Sequence, residues 1–259
     1  MIVEPLPSAA IGLIGVTIAA AFQLVENTPK DSIKWALSGF SNTTIWVIFA
    51  GYMFAVAFKK TGLGKRIALY LIRAFGRKTL GLGYASAMIN TALGPFIPSN
   101  TARNGGVIYP ILSNIPPIYG SEPRKASARR IGSYLMWTTF AADSGVSSLF
   151  LTGLAPNLLL VALAAEIAGI EITWVEWFIS GLPVALIVIL LVPYLAYKLY
   201  PPEIKESPEV VEFAKKELEK MGKITRQEKI LAVLMLIALI LWVAGEISST
   251  VPVILHLSR

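Results

Sequence analysis

The sequence has no cysteine, a single histidine and few charged residues. Of its 259 residues, 15% are charged and 55% are hydrophobic, whereas about a quarter of an ordinary soluble domain is charged. The missing cysteines exclude disulfides and thiolate metal sites. His256 has no Asp or Glu close to it, and no nucleophile–base cluster or metal-ligand spacing occurs elsewhere. The sequence therefore predicts neither an enzyme nor a metal protein.

The apolar residues form long runs that are typical of membrane-spanning helices. Each run holds few or no charges over about the length that crosses, or nearly crosses, a ~30 Å hydrocarbon layer. The runs are Ala9–Val25, Thr44–Phe58, Phe178–Tyr197 and Ile230–Val243. The pattern before the first run differs from a cleaved signal peptide, because Met1-Ile-Val-Glu4 has no basic residue. These four runs set the minimum number of spans, and together with the regions described below they predict an all-α, multi-pass protein of the cell membrane with about five transmembrane segments.

The net charge of +7 lies in loops between the apolar runs. This distribution indicates membrane topology rather than nucleic-acid binding, because cytoplasmic loops carry an excess of Lys and Arg. The basic loops 59–78, 121–130 and 201–229 are accordingly predicted to be cytoplasmic. The connections Glu26–Asn42 and Gly169–Trp177 lack this excess and are predicted to face outward.

Two regions are predicted to break inside the membrane. Leu80–Ile118 has a basic cluster at each end and turns at PSNTARNGG, which predicts a re-entrant hairpin that enters and leaves on one side. Ile131–Ala168 is too long for one straight crossing of about 20 residues, and TGLAPN at 152–157 interrupts it. Non-helical backbone at membrane depth needs protein or water around its polar groups, so the two breaks predict a cavity.

These patterns divide the chain into consecutive predicted parts. The charged connector at 201–229 is interpreted mainly as a solvated link. Ser207-Pro208 is predicted to start its helix, and Thr225-x-x-Glu228 is predicted to form a capping box before the last span. The parts are the first two transmembrane helices at 1–62, an interfacial amphipathic helix at 63–79, the re-entrant hairpin at 80–118, a discontinuous helix and following span at 119–200, a charged connector helix at 201–229, and a last span with an atypical tail at 230–259.

The two breaks supply the candidate binding residues. A helix that begins inside the membrane directs its first N–H groups and its positive dipole end at an anion. The substrate-binding candidates are Ser99, Asn100 and Thr101 at the hairpin tip and Pro156 and Asn157 at the second break. The alternative is that Ser99 or Asn100 only caps the second limb of the hairpin, and the sequence leaves both open.

Arg103 is an ionisable residue at predicted membrane depth, where a function and a partner are expected. Its guanidinium could bind a substrate carboxylate with two hydrogen bonds. The alternative is a structural ion pair with Asp143, which is the acid in another apolar region. The sequence leaves both hypotheses open.

Several motifs resemble, in order and spacing, the divalent anion/sodium symporter family. They are GFSNTTIWVIFAGYMFAVAFKKTGLGKRIALYLIRAFGRKTLGLGYA, PSNTARNGGVIYPI, FLTGLAPNLL and YPPEIKESPE, and the resemblance covers about Leu6 to Gly245. Within the family the chain is most similar to the 2-oxoglutarate/malate translocator branch. The resemblance implies a homodimeric elevator-type dicarboxylate carrier built from inverted repeats. It further implies that Asn100 and Thr101 hold a carboxylate, and that Ser99, Asn100 and Gly153 line a cation site in sodium-coupled members.

Two residues depart from the sodium-coupled pattern. Pro95 stands four positions before Ser99, where sodium-coupled members commonly have a serine, and Arg103 adds a fixed positive charge nearby. Exchange of dicarboxylates of the 2-oxoglutarate, malate or succinate type is therefore favoured over sodium symport. No cofactor is expected, and sodium is left open as a coupling ion.

The resemblance also covers only one of the two family repeats. The chain resembles the N-terminal repeat with about two helices missing in front, and it contains one Ser-Asn-Thr hairpin where the family has two. The expected partners are the dicarboxylate, the lipid bilayer, and a second copy of the chain or a separate C-terminal half. The alternative is a truncated or split fragment that packs or dimerises in the membrane without transporting alone. The uneven distribution of Lys and Arg between the loops of the chain disfavours a third arrangement, in which two copies in opposite orientations replace the missing repeat.

Overall fold

The computed structural model describes residues 6–257 of the chain, and the side chains of residues 6, 7 and 9–244. Within that range the structure confirms the all-α prediction, since it has no β-strand and one isolated bridge between Lys78 and Glu206. The predictions about Met1-Ile-Val-Glu4, His256 and the tail after Ala244 fall outside the described side chains. The helices are α1 (Ser8–Ala21), α2 (Pro29–Ser41), α3 (Thr43–Thr61), α4 (Leu63–Phe75), α5 (Thr79–Leu93), α6 (Asn100–Arg103), α7 (Tyr109–Leu112), α8 (Gly132–Leu149), α9 (Ala155–Leu163), α10 (Trp174–Leu199), α11 (Pro208–Met221) and α12 (Arg226–Leu257).

The chain divides into two compact units, Met1–Phe49 and Ala50–Arg259. In the smaller unit α2 occupies most of the predicted connection 26–42, so residues 6–62 hold a further helix besides the two that were predicted to cross the membrane. The helix begins there because Pro29 suits a first helical turn and Thr28 caps it, its Oγ1 accepting from the Asp31 N–H at 3.2 Å. At the junction with α3, Asn42 Oδ1 accepts from the Thr44 N–H at 2.9 Å.

Two of the described helices are long and apolar enough to cross a membrane. They are Trp174–Leu199 and Arg226–Ala244, and α2 with α3 adds a third if the two count as one bent span. The first predicted span corresponds to α1, which has 14 residues and is shorter than a crossing requires. Apolar helices of this kind fit a membrane-embedded protein, and the number of crossings stays a prediction.

The core of the larger unit brings α5, α8 and α10 together. Glycines permit their close approach: a Cβ added to Gly83 of α5 would lie 2.1 Å from the Tyr134 hydroxyl oxygen. A Cβ on Gly145 of α8 would lie 2.4 Å from Val188 Cγ1 of α10. Small residues at such contacts are typical of helix packing in membranes. This packing fixes α5 and α8, the two helices that lead into the breaks.

The charged connector is packed more closely than the predicted solvated link. Ser207 is fully buried and its Oγ donates to the Gly76 carbonyl at 2.7 Å, while Thr79 Oγ1 donates to the Ile204 carbonyl at 2.7 Å. Helix α11 then buries one apolar face against α4, consisting of Val210, Ala214 and Leu218. The connector thus holds the segment between α4 and α5 in place.

A buried ion pair joins α4 to the start of α12. Arg66 Nε and Nη2 donate to the two Glu228 carboxylate oxygens at 2.7 and 3.2 Å, and Arg66 Nη1 donates to the Gly222 carbonyl at 3.0 Å. The hydrogen bonds with Glu228 raise the pKa of Arg66, which keeps the guanidinium charged. Thr225 and Glu228 bond reciprocally through side chain and backbone, so the predicted capping box is confirmed.

We expect Arg66→Met to lower the free energy of unfolding by about 3 kcal/mol, because it leaves the buried Glu228 carboxylate without its partner. Arg66→Met combined with Glu228→Leu should recover a large part of that loss. The measurement is thermal unfolding in detergent, in which size-exclusion chromatography reports the folded fraction that remains after heating. Lys216→Gln, which removes an exposed pair with Glu212 on α11, is the control and should leave the midpoint almost unchanged. Equal losses for Arg66→Met and Lys216→Gln would contradict the expectation.

Candidate functional site

The hairpin turns between α5 and α6 in the way that its prolines require. After α5, Gly94–Phe96 form a 3₁₀ turn, and Ile97 is extended with φ −120° and ψ 97° ahead of Pro98. Ser99 is the N-cap of α6, and its Oγ accepts from the Ala102 N–H at 3.2 Å. The helical run then continues from Asn100 to Leu112 through a π-helical segment. The capping role weighed for Ser99 is therefore present.

The second break interrupts the chain between α8 and α9. Phe150 and Leu154 are both extended, and Leu151–Gly153 form a 3₁₀ turn between them. The break thus covers residues 150–154 rather than the predicted 152–157. Pro156 explains the difference, because proline fits the first turn of a helix and here lies at the start of α9.

The two breaks lie against each other. Thr152 Oγ1 donates to the Pro95 carbonyl at 2.7 Å, and the Ala155 N–H donates to the Pro98 carbonyl at 3.0 Å. A Cβ on Gly94 would lie 2.9 Å from the Phe150 ring. The N-termini of α6 and α9, with their positive dipole ends, are therefore neighbours.

Arg103 lies beneath this junction, with none of its surface exposed. Nε, Nη1 and Nη2 of its guanidinium together carry five N–H groups, and each has an acceptor within the chain. The acceptors are Asn90 Oδ1 for Nε at 3.1 Å, the Ile97 carbonyl at 3.0 Å and the Gly153 carbonyl at 3.3 Å for Nη1, and Asp143 Oδ1 at 2.5 Å and Ser147 Oγ at 2.8 Å for Nη2. One carbonyl from each break thus binds the same nitrogen.

This geometry bears on the two hypotheses for Arg103. The Arg103–Asp143 ion pair is present, and both side chains are buried. Every N–H of the guanidinium has an acceptor within the chain in this structure, which favours the structural ion pair over direct substrate binding by Arg103. The physical reason is that the breaks leave buried carbonyls that need donors, and the guanidinium supplies them.

Asn157 also binds the chain itself. Its Nδ2 donates to the carbonyls of Ser147 and Phe150 at 3.0 and 3.1 Å. These carbonyls belong to the end of α8, where the last C=O groups of a helix lack partners within it. Both N–H groups of the Asn157 amide are thereby used in this structure, where they stabilise the break.

The remaining candidates lie at the junction with part of their surface accessible. Ser99 and Asn100 are half-buried, while Thr101 and Pro156 are exposed. Asn100 Oδ1 accepts from the Thr101 N–H at 2.8 Å, which orients the Asn100 amide at the start of α6. Gly153 is buried, and its carbonyl is bound to Arg103. The structure therefore brings the tip residues and the start of α9 together, with the side chain of Arg103 behind them.

Asn90 and Ser147 belong to the site but are not among the residues predicted from the sequence, and Thr152 was predicted only as part of the second break. Each is a buried polar residue in an apolar segment. Ser147 follows Asp143 by four positions, which places both on one face of α8. This spacing is the sequence signal that could have identified Ser147 as a site residue. In the structure both residues bind the same guanidinium nitrogen of Arg103.

Discontinuous helices whose ends meet inside a membrane protein are typical of secondary transporters. The family model described as the sodium:sulfate symporter transmembrane region matches residues 1–257, and the chain belongs to this family. It is 46% identical over 258 residues to the citrate/succinate antiporter of Escherichia coli (strain K12). It is 44% identical over 257 residues to the L-tartrate/succinate antiporters of Escherichia coli (strain K12) and Shigella flexneri.

Each of these matches covers 95% of this chain and 53% of the relative. The chain thus spans about half the length of the curated relatives it matches. The predicted family is confirmed, and the half-length match agrees with the prediction of half a transporter. The family and these relatives are named as transporters, which points away from an enzyme.

We expect Arg103→Met and Asp143→Asn both to destabilise the protein, and Arg103→Met the more. The first change leaves four polar partners and a carboxylate without their donor, at a cost of at least about 3 kcal/mol, whereas an asparagine keeps an oxygen for Nη2 but leaves the buried guanidinium without its counter-charge. Thermal unfolding of the purified variants in detergent measures the difference. Thr101→Ala, which alters an exposed neighbour, is the control and should keep the wild-type midpoint. A stable Arg103→Met variant would contradict this account of the junction.

Proposed function

We propose that this chain forms half of the substrate site of a membrane carrier that exchanges one dicarboxylate for another. The observation that carries the proposal is the meeting of two helix N-termini at a tip with accessible Asn100 and Thr101. Two positive dipole ends favour an anion at this point. The relatives are named citrate/succinate and L-tartrate/succinate antiporters; succinate and L-tartrate are dicarboxylates, which supplies the substrate class, and the word antiporter supplies the exchange reaction.

In the proposed site, Asn100 and Thr101 hold one carboxylate of the substrate. The Thr101 hydroxyl and the Asn100 amide can donate hydrogen bonds, and both lie at the start of the helical run 100–112. Ser99 and Asn157 act as positioning residues, because each already bonds to the backbone that shapes the tip or the break. Pro156 borders the site on the α9 side.

The proposal favours exchange over sodium symport. The Arg103 guanidinium binds the Ile97 and Gly153 carbonyls, one from each break, and so places a fixed positive charge between the segments that the family resemblance assigns to a cation site. Pro95 offers only its carbonyl, which accepts from Thr152. A dissociable cation is therefore not needed to hold the two breaks together.

Further parts of the proposal rest on the family resemblance. They are the elevator-type movement, a homodimeric assembly, a preference for 2-oxoglutarate, malate or succinate, and a multi-pass arrangement with the basic loops 59–78, 121–130 and 201–229 in the cytoplasm. The charge distribution supports this orientation.

A second candidate function is a membrane fragment that associates with a partner and does not transport alone. Large apolar side chains on the two longest apolar helices favour it: Leu190 of α10 is 56% exposed, and Leu236 and Leu241 of α12 are 59% and 64% exposed. Lipid covers such surfaces, and so does a second half of a transporter. Under this candidate, the substrate site is completed only in an assembly.

Counterflow in proteoliposomes separates the two candidates. Vesicles loaded with unlabelled succinate should accumulate labelled succinate when this chain is co-reconstituted with the part of the E. coli citrate/succinate antiporter that it does not cover. Asn100→Ala and Thr101→Val should each reduce this rate by about tenfold or more, since a hydrogen bond to a carboxylate is lost. Thr17→Val on α1 is the matched control. Counterflow by the chain alone would exclude the hypothesis that it is a fragment that does not transport alone. The absence of counterflow in every combination would contradict the hypothesis that it forms half of a dicarboxylate carrier.

The same vesicles test the coupling ion. Replacing sodium by potassium or choline on both sides should change the counterflow rate less than about twofold, because Arg103 provides a charge that cannot dissociate. The control is the same replacement with empty vesicles, which reports leakage. Uptake that requires sodium would rule out the proposed independence of the cation and leave the dicarboxylate site itself intact.

A further inference from the structure

The last turns of α10 and the residue after it carry three tyrosines, and each tyrosine has a cation over its ring. Arg129 Cζ lies 4.6 Å from the ring centre of Tyr200, Lys205 Nζ lies 4.6 Å from that of Tyr197, and Lys198 Nζ lies 5.7 Å from that of Tyr194. The helix has 26 residues and so extends about 39 Å. That length exceeds a ~30 Å hydrocarbon layer, so this end of a spanning helix lies at the level of the lipid headgroups.

A groove between α8 and α10 runs from this end along the helix surface. It encloses about 440 Å³ and is lined by Ser133, Trp137, Ala196, Leu199 and Tyr200. Trp137 is 55% exposed and Leu199 is 79% exposed, so the groove opens toward the surface that faces lipid. Its lining is apolar except for Ser133 and the polar tips of the Trp and Tyr side chains, which suits an acyl chain near the membrane interface.

The charge at the mouth of the groove is positive. Arg129 lies over Tyr200, which is a lining residue, and among the described side chains Arg129, Lys198 and Lys205 form no salt bridge within 4.0 Å. Glu203, whose backbone N–H donates to the Arg129 carbonyl, and Glu206 form no salt bridge with Arg129 either. A phosphate group would provide the missing counter-charge, and guanidinium groups bind phosphate well.

We propose that this groove binds an anionic phospholipid, with its phosphate at Arg129 and Tyr200 and an acyl chain along Trp137 and Leu199. A lipid fits better than a soluble anion because the basic group borders an apolar groove on a membrane helix. The site is separate from the junction of the two breaks and does not depend on the transport proposal.

Quenching of Trp137 by brominated lipids tests this proposal with the full chain in vesicles. Equimolar phosphatidylglycerol and phosphatidylcholine are used, with one or the other brominated, and the difference between wild type and Trp137→Phe isolates the Trp137 signal. Brominated phosphatidylglycerol should quench more strongly, and Arg129→Gln should reduce the apparent preference about fivefold. Arg129→Lys should retain most of the preference.

Lys198→Gln is the matched control, because it removes the same charge over a tyrosine of the same helix end but outside the groove lining. It should leave the preference unchanged. Arg129→Gln keeps the backbone bond in which the Arg129 carbonyl accepts from the Glu203 N–H at 3.1 Å, and an unchanged thermal midpoint shows that it folds. Equal quenching by both lipids, or equal effects of the two glutamine variants, would overturn the proposal. Displacement by millimolar glycerol 1-phosphate would assign the site to a soluble phosphate instead.

Discussion

The hydrogen bonds of the buried Arg103 guanidinium are the interaction on which the rest of the site depends. A helix that stops inside a membrane protein leaves carbonyl groups without partners, in a region where water is scarce. Arg103 binds one such carbonyl from each break, at Ile97 and Gly153, and Asp143 balances its charge. Thr152 and Ala155 add two more bonds between the breaks. The non-helical backbone is thereby fixed in one arrangement, and the two helix N-termini stay side by side.

A positive charge on a side chain, such as that of Arg103, affects transport differently from a bound ion that can dissociate. A buried, fully hydrogen-bonded guanidinium is always charged and cannot leave the site. It can hold the two breaks together in every state of the proposed transport cycle, but it cannot carry the energy of an ion gradient. Under the proposed function, the direction of transport then follows from the concentrations of the exchanged dicarboxylates alone.

The sequence allowed the breaks and the capping box to be predicted because glycine, proline and capping residues act over a few neighbouring positions. It did not decide between the two hypotheses for Arg103, since Asp143 lies 40 positions away and the contact depends on how α5, α8 and the tip pack. The helix α2 was missed although Thr28-Pro29 is a start signal, because its polar composition suggested a connection. Likewise, the charged surface of the connector concealed the spacing of Val210, Ala214 and Leu218, which α4 covers.

The geometry of the tip also limits what this half can do. One pair of helix N-termini offers donors to one carboxylate, while the second carboxylate of the proposed dicarboxylate substrate would lie several ångströms away and would need donors of its own. Within the described residues, the accessible polar side chains of the junction are concentrated at Ser99–Thr101. The exposed apolar faces of α10 and α12 need a cover of lipid or protein as well. A second set of helix ends on a partner that also covers part of these faces would meet both needs at once, which is why the proposed site is half of a site.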